Sequence, residues 1–202
     1  MEDGMKPVVV FNPNSFPGKF EVEMESPNLK ENQILVDEEG KQIPLQQVQP
    51  LASSNGRTRL VFIADLPAMG YRTYRLVIRE TAHAFPYVES TDTTAENRWF
   101  KIAFDEKTGY ISSLYKKNDG TEYFSGPAAV PAVIEDRSDT WSHAVRIFDK
   151  VKGCFSGISV KRVENGPVKC VIRVTSTYGS SRMFQDFSIY RELDFIRVKT
   201  TV

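Results

Sequence analysis

The densest group of chemically capable side chains is Glu135-Asp136-Arg137-Ser138-Asp139-Thr140-Trp141-Ser142-His143, which puts three carboxylates, an indole and an imidazole in one short run. Carboxylates accept hydrogen bonds from hydroxyls and an aromatic face covers C–H edges, so this mixture suits a sugar. The run follows an apolar segment, and loops at strand ends are where binding groups collect. Asp136, Asp139, Trp141 and His143 are therefore the candidate substrate-proximal residues. As the acid and base of a glycosidase, Asp136 and Asp139 would need environments that push their pKa values apart, and the sequence supplies no such contrast. The competing reading is a solvated loop. In it Trp141 plugs a sandwich while the acids cap turns or pair with Arg137 and Arg146.

Other chemistry is sparse. No GxSxG, HExxH, GxxxxGK[ST] or strand-following GxGxxG occurs. His83 and His143 are the only histidines, which excludes a three-histidine zinc site, and Cys154, Cys170 and His143 have no recognised ligand spacing. No metal or cofactor is assigned to this chain, and both cysteines read as small apolar strand residues. Tyr71, Arg72 and Tyr74 resemble an aromatic patch, but alternation sets Tyr74 with Leu76 and Ile78 on a core-directed face.

Lys+Arg 26 against Asp+Glu 26 leaves no field to concentrate a polyanion, so neither nucleic acid nor an acidic membrane is an expected partner. No run approaches the ~18–20 apolar residues that span a bilayer. The N-terminus does not read as a signal peptide, and no N-x-S/T acceptor is present. A reduced, cytoplasmic setting is expected.

The elements that would hold these groups are strands. Period-two alternation recurs between turn residues while helical periodicity is scarce, so the fold class is mostly β. In Lys19-Phe20-Glu21-Val22-Glu23-Met24-Glu25 the acids share one face, which predicts a wet side. Val8-Val9-Val10-Phe11 and Leu60-Val61-Phe62-Ile63 read as buried on both sides. Strands are expected over 7–11, 19–24, 33–36, 45–51, 57–64 and 71–79, forming a small β-sandwich domain over 1–82. The turns are Asn12-Pro13-Asn14, Ser26-Pro27-Asn28, Glu39-Gly40 and Ser54-Asn55-Gly56. Residues 83–96 lose the alternation and read as a linker. Strands resume at 98–104, 111–116, 128–135, 157–163, 168–175, 182–191 and 195–202, with hairpin turns at Lys107-Thr108-Gly109 and Asn118-Asp119-Gly120. Residues 97–202 thus form a larger β-domain. The last strand alternates to the final residue, which leads to the expectation of a fragment of a longer polypeptide.

An ordered set of segments resembles the region after the catalytic domain of glycoside hydrolase family 38 α-mannosidases. The segments are Val10-Phe11-Asn12-Pro13, Leu66-Pro67-Ala68-Met69-Gly70-Tyr71-Arg72-Thr73-Tyr74, Glu96-Asn97-Arg98-Trp99-Phe100-Lys101-Ile102, Asp105 through Leu114, Glu135 through His143, and Gly166-Pro167-Val168. The resemblance implies a small β-domain followed by part of a large sandwich similar to galactose mutarotase folds. It implies a parent that hydrolyses terminal α-mannosides with retention, using zinc and two Asp residues of an N-terminal α/β domain that this chain lacks. On that view the fragment packs against the catalytic domain, is inactive alone, and serves as scaffold and cleft wall. The alternatives are a free-standing sugar-binding module with an aromatic platform at Trp99 or Trp141, and an extracellular interaction module.

Overall fold

A computed structural model describes residues 6–27, 32–49, 57–143 and 145–202. All regular structure among them is strand, so the chain is mostly β, as the alternation predicts. It divides into two units. The first is residues 1–88 with 164–169 and 190–193, and the second is 89–163 with 170–189 and 194–202.

The first unit contains β1 (Lys6–Asn12), β2 (Gly18–Pro27), β3 (Gln33–Val36), β4 (Gln42–Ile43), β5 (Gln46–Val48), β6 (Arg57–Leu66) and β7 (Gly70–Ile78). They form a four-stranded sheet in the order β1-β7-β3-β4 and a three-stranded sheet in the order β2-β6-β5. Leu35, Leu60, Phe62, Ala64, Leu66, Tyr74 and Leu76 make the core between them. Phe62 and Tyr74 meet edge to face with centroids 5.0 Å apart, one ring from each sheet, a favoured geometry for the ring quadrupoles. Tyr74 and Leu76 are buried as the alternation predicts, whereas Ile78 is exposed at the strand end.

Several details depart from the sequence reading. β1 is an edge strand whose outer face meets no second layer among the described residues, so Val9 is exposed and Phe11 is 69% exposed, while Val8 and Val10 pack on the core. The strand expected over 45–51 is three residues long within its described part, and residues 50 and 51 lie outside the described residues. Just before it the chain leaves one sheet for the other at Pro44, which has no N–H to offer a ladder. Asn12 anchors its turn by donating from Nδ2 to the carbonyls of Phe16 (2.9 Å) and Pro67 (2.8 Å). Ser26-Pro27-Asn28 falls partly, and Ser54-Asn55-Gly56 wholly, outside the described residues.

The second unit opens with β8 (Glu89–Ser90), β9 (Thr94–Glu96), β10 (Phe100–Phe104), β11 (Ile111–Lys116) and β12 (Thr121–Glu122), a sheet in the order β12-β11-β10-β9-β8. Residues 89–96, within the stretch read as a connection, thus supply two short strands. Next come β13 (Ala132–Ile134) and β14 (Val151–Cys154), paired antiparallel. A four-stranded sheet follows in the order β15 (Ser156–Asn165), β16 (Lys169–Tyr178), β17 (Ser181–Tyr190) and β18 (Ile196–Thr201). Phe104 and Phe187 stack edge to face at 4.8 Å, joining the first and last of these sheets across a core with Ile102, Ile172 and Ile189. The strand expected over 128–135 shrinks to β13, with Ala128 making one bridge to Ile111, because Pro127 and Pro131 withhold donors. Gly109 (φ +75°) and Gly120 (φ +74°) take the left-handed conformation their hairpin turns require.

Candidate functional site

Strands β13 and β14 hold between them the loop that carries all four candidate residues. Their pairing and a bond from the Glu135 N–H to the Lys150 carbonyl (2.8 Å) close its base. The Glu135 carboxylate is mostly covered and meets Arg137 Nε at 2.6 Å and Lys152 Nζ at 3.0 Å. Asp136 closes its own turn, its Oδ1 accepting from the Ser138 N–H (2.8 Å) and hydroxyl (2.5 Å).

Asp139 organises the rest. Its Oδ1 accepts from the backbone N–H groups of Trp141 (3.1 Å) and His143 (3.0 Å), and its Oδ2 lies 2.7 Å from His143 Nδ1. In the tautomer that donates this bond, His143 Nε2 is left as an acceptor. Ser142 takes φ 57° to complete the reversal. Trp141 is 79% exposed, so it does not plug a sandwich. The structure therefore brings Asp139, Trp141 and His143 into one ordered turn and places Asp136 in the turn before it.

The electrostatics favour charge on both acids. The Ser138 hydroxyl bond holds the Asp136 carboxyl below the usual range, and the His143 N–H, followed by its ring, does the same for Asp139. Their environments shift both in one direction, so each is an acceptor at neutral pH and neither is set up as a proton donor. Among the described residues no three His, Cys, Asp or Glu side chains converge to hold a metal ion.

Among the described residues, surface clefts of about 400 to 450 Å³ include two in the first unit and one in the second. None is lined by Asp136, Asp139, Trp141 or His143.

The sequence reading missed a buried polar network in the first unit. Lys169 Nζ donates to Glu21 Oε1 (2.7 Å) and Glu23 Oε1 (3.0 Å), and the Tyr190 hydroxyl donates to Glu21 Oε2 (2.9 Å). Gln46 accepts from the N–H groups of Val168 (3.0 Å) and Lys169 (2.9 Å) and donates to Glu164 Oε1 (2.8 Å). Arg59 pairs with Glu23. The face of β2 expected to be wet is covered at Glu21, whose side chain is 2% exposed, while Lys19, Glu23 and Glu25 remain exposed as expected. The only signal was the unusual density of acids on one strand, and nothing in it pointed to a partner nearly 150 residues away in sequence, at Lys169.

A family model described as "Glycosyl hydrolases family 38 C-terminal domain" matches residues 95–202, just over half of the chain. No curated protein matches it.

Proposed function

Because the chain belongs to glycoside hydrolase family 38 through that family's C-terminal domain, we propose that it is the β-sandwich region of a zinc-dependent retaining α-mannosidase. In this reading the sandwich packs against the parent's catalytic domain and walls the cleft that takes a terminal α-mannoside. Bond cleavage and the zinc ligands belong to that other domain, and this chain alone turns nothing over. The setting is cytoplasmic, where Cys154 and Cys170 stay reduced.

One observation carries the reading: within the matched domain, a single ordered turn presents the Asp139 carboxylate, the His143 imidazole and an open indole face together. Carboxylate and imidazole receive sugar hydroxyls, the indole covers C–H surface, and the hydrogen bonds of Asp139 fix the turn before substrate arrives. The contribution is positioning and exclusion of water, not proton transfer.

The test is kinetic. Asp139→Ala and Trp141→Ala are made in the intact parent and compared with wild type on an α-mannoside. A fall in kcat/KM of about tenfold or more is expected, and unchanged kinetics with an intact fold would remove both residues from the cleft. The exposed Trp141 also suits a free-standing sugar-binding module. That reading gains if the chain's parent proves to have no catalytic domain.

A further inference from the structure

The cleft of the second unit, about 400 Å³, lies apart from the 135–143 turn and has a different composition. Trp99, Tyr123 and Phe195 line it, together with Asp194 and with Lys116, whose ammonium donates one bond to Asp119 Oδ2 (2.5 Å) and keeps two further N–H groups. The three rings come from three places in the chain: the turn before β10, the segment after β12, and the residue before β18.

We propose that this groove is a binding site for a neutral saccharide of one or two rings. Its volume falls in the range of small-ligand sites, roughly 300–1,000 Å³. Aromatic faces take the C–H surface of a pyranose, while Lys116 donates to hydroxyls and Asp194 accepts from them. Lys116 is already paired with Asp119, so beside Asp194 the lining is not electropositive and does not favour an anion. A phosphate or carboxylate would face Asp194, and a lipid or apolar peptide would strip water from both charged groups without replacing their hydrogen bonds. Hydroxyls replace them.

The walls are set in advance. Asn97 Oδ1 accepts from the N–H groups of Trp99 (2.9 Å) and Phe100 (3.0 Å), fixing the turn. The Arg98 guanidinium lies 3.9 Å from the indole centroid, a cation–π contact that holds the ring. The Tyr123 N–H donates to the Leu114 carbonyl (3.0 Å), tying the tyrosine segment to β11. A preformed site loses less conformational entropy on binding. This site stands independently of the cleft-wall reading, which survives its failure.

The experiment is a titration of the 15N-labelled 202-residue chain, followed by amide chemical shifts, with α-linked mannobiose, cellobiose and inorganic phosphate as separate probes. Saturable shifts at the amides of Trp99, Leu114, Tyr123 and Phe195 are expected with at least one disaccharide and none with phosphate. Tyr123 is 54% exposed and its structural bond is made by the backbone, so Tyr123→Ala should fold normally while weakening binding about tenfold. Phe195→Ala is the second variant, and Tyr71→Ala in the first unit should leave affinity unchanged. No saturable shift with either disaccharide, shifts that map to residues 135–143 instead, phosphate binding at the same amides, or Tyr123→Ala and Phe195→Ala variants that bind like wild type would each overturn the proposal.

Discussion

Replacing Lys169 by Met should destabilise the first unit by about 3–5 kcal/mol, the cost of stranding a buried carboxylate. The Lys169 side chain is 8% exposed and that of Glu21 2%, so water cannot replace the lost ammonium. Two charge-assisted bonds, at 2.7 and 3.0 Å, disappear, each of a kind that contributes about 1.5–3 kcal/mol. Burial alone would lower the Lys169 pKa, but bonds to Glu21 and then Glu23 outweigh it and the net shift is upward. Burial would likewise raise Glu23, but Lys169 and Arg59 hold it down. The Lys169 contribution is therefore complete at neutral pH and is lost as pH rises through the raised lysine pKa. That of Glu23 is lost as pH falls through its lowered one. The assay is native-state hydrogen exchange at the β6 amides of Val61 and Phe62, where such a loss means exchange about a hundred- to several-thousand-fold faster. Glu21→Gln in the Lys169→Met background removes the stranded charge and should recover much of the loss, a coupling that a double-mutant cycle reads directly. An effect below about 1 kcal/mol for Lys169→Met, or a double variant no more stable than the single one, would refute the argument.

Three further outcomes follow from the same geometry. Burial pushes the Glu164 carboxyl up, so its ionised form weighs against the fold as pH rises through the interval above the ordinary value; Glu164→Gln should raise denaturant resistance at neutral pH, with the gain vanishing in acid. The Gln46 bond survives that change because an amide oxygen also accepts. Gly109→Ala should lower Tm, at a cost of about 2 kcal/mol or more, since a Cβ there would sit 2.4 Å from Val174 Cγ1 at φ +75°. Acidification through the lowered Asp139 pKa should release the Trp141 and His143 amides, seen as the collapse of their distinct NMR shifts while the β13–β14 amides stay in place; unchanged shifts would mean that the carboxylate does not order the turn.

The sequence determined the fold class and the loop. Alternation with a period of two, punctuated by Asn-Pro, Glu-Gly and Asp-Gly turns, can bury one face only in sheets, and Gly109 and Gly120 stand where the hairpins reverse. The 135–143 run was legible as a site because carboxylates, indole and imidazole stand close together along the chain. Its internal bonds, from Asp139 to residues two and four positions on, are local and follow from sequence distance. What only tertiary structure decided were the pairings between distant segments. Glu21 looked solvated because its partners, Lys169 and Tyr190, are 148 and 169 residues away, and a strand's outer face carries no mark of what will cover it. Phe11 looked buried for the converse reason: apolar side chains on an edge strand have the same sequence pattern whether or not a second layer arrives. The groove of Trp99, Tyr123 and Phe195 belongs to this second class, since no local periodicity relates three rings that only the stacking of sheets brings together.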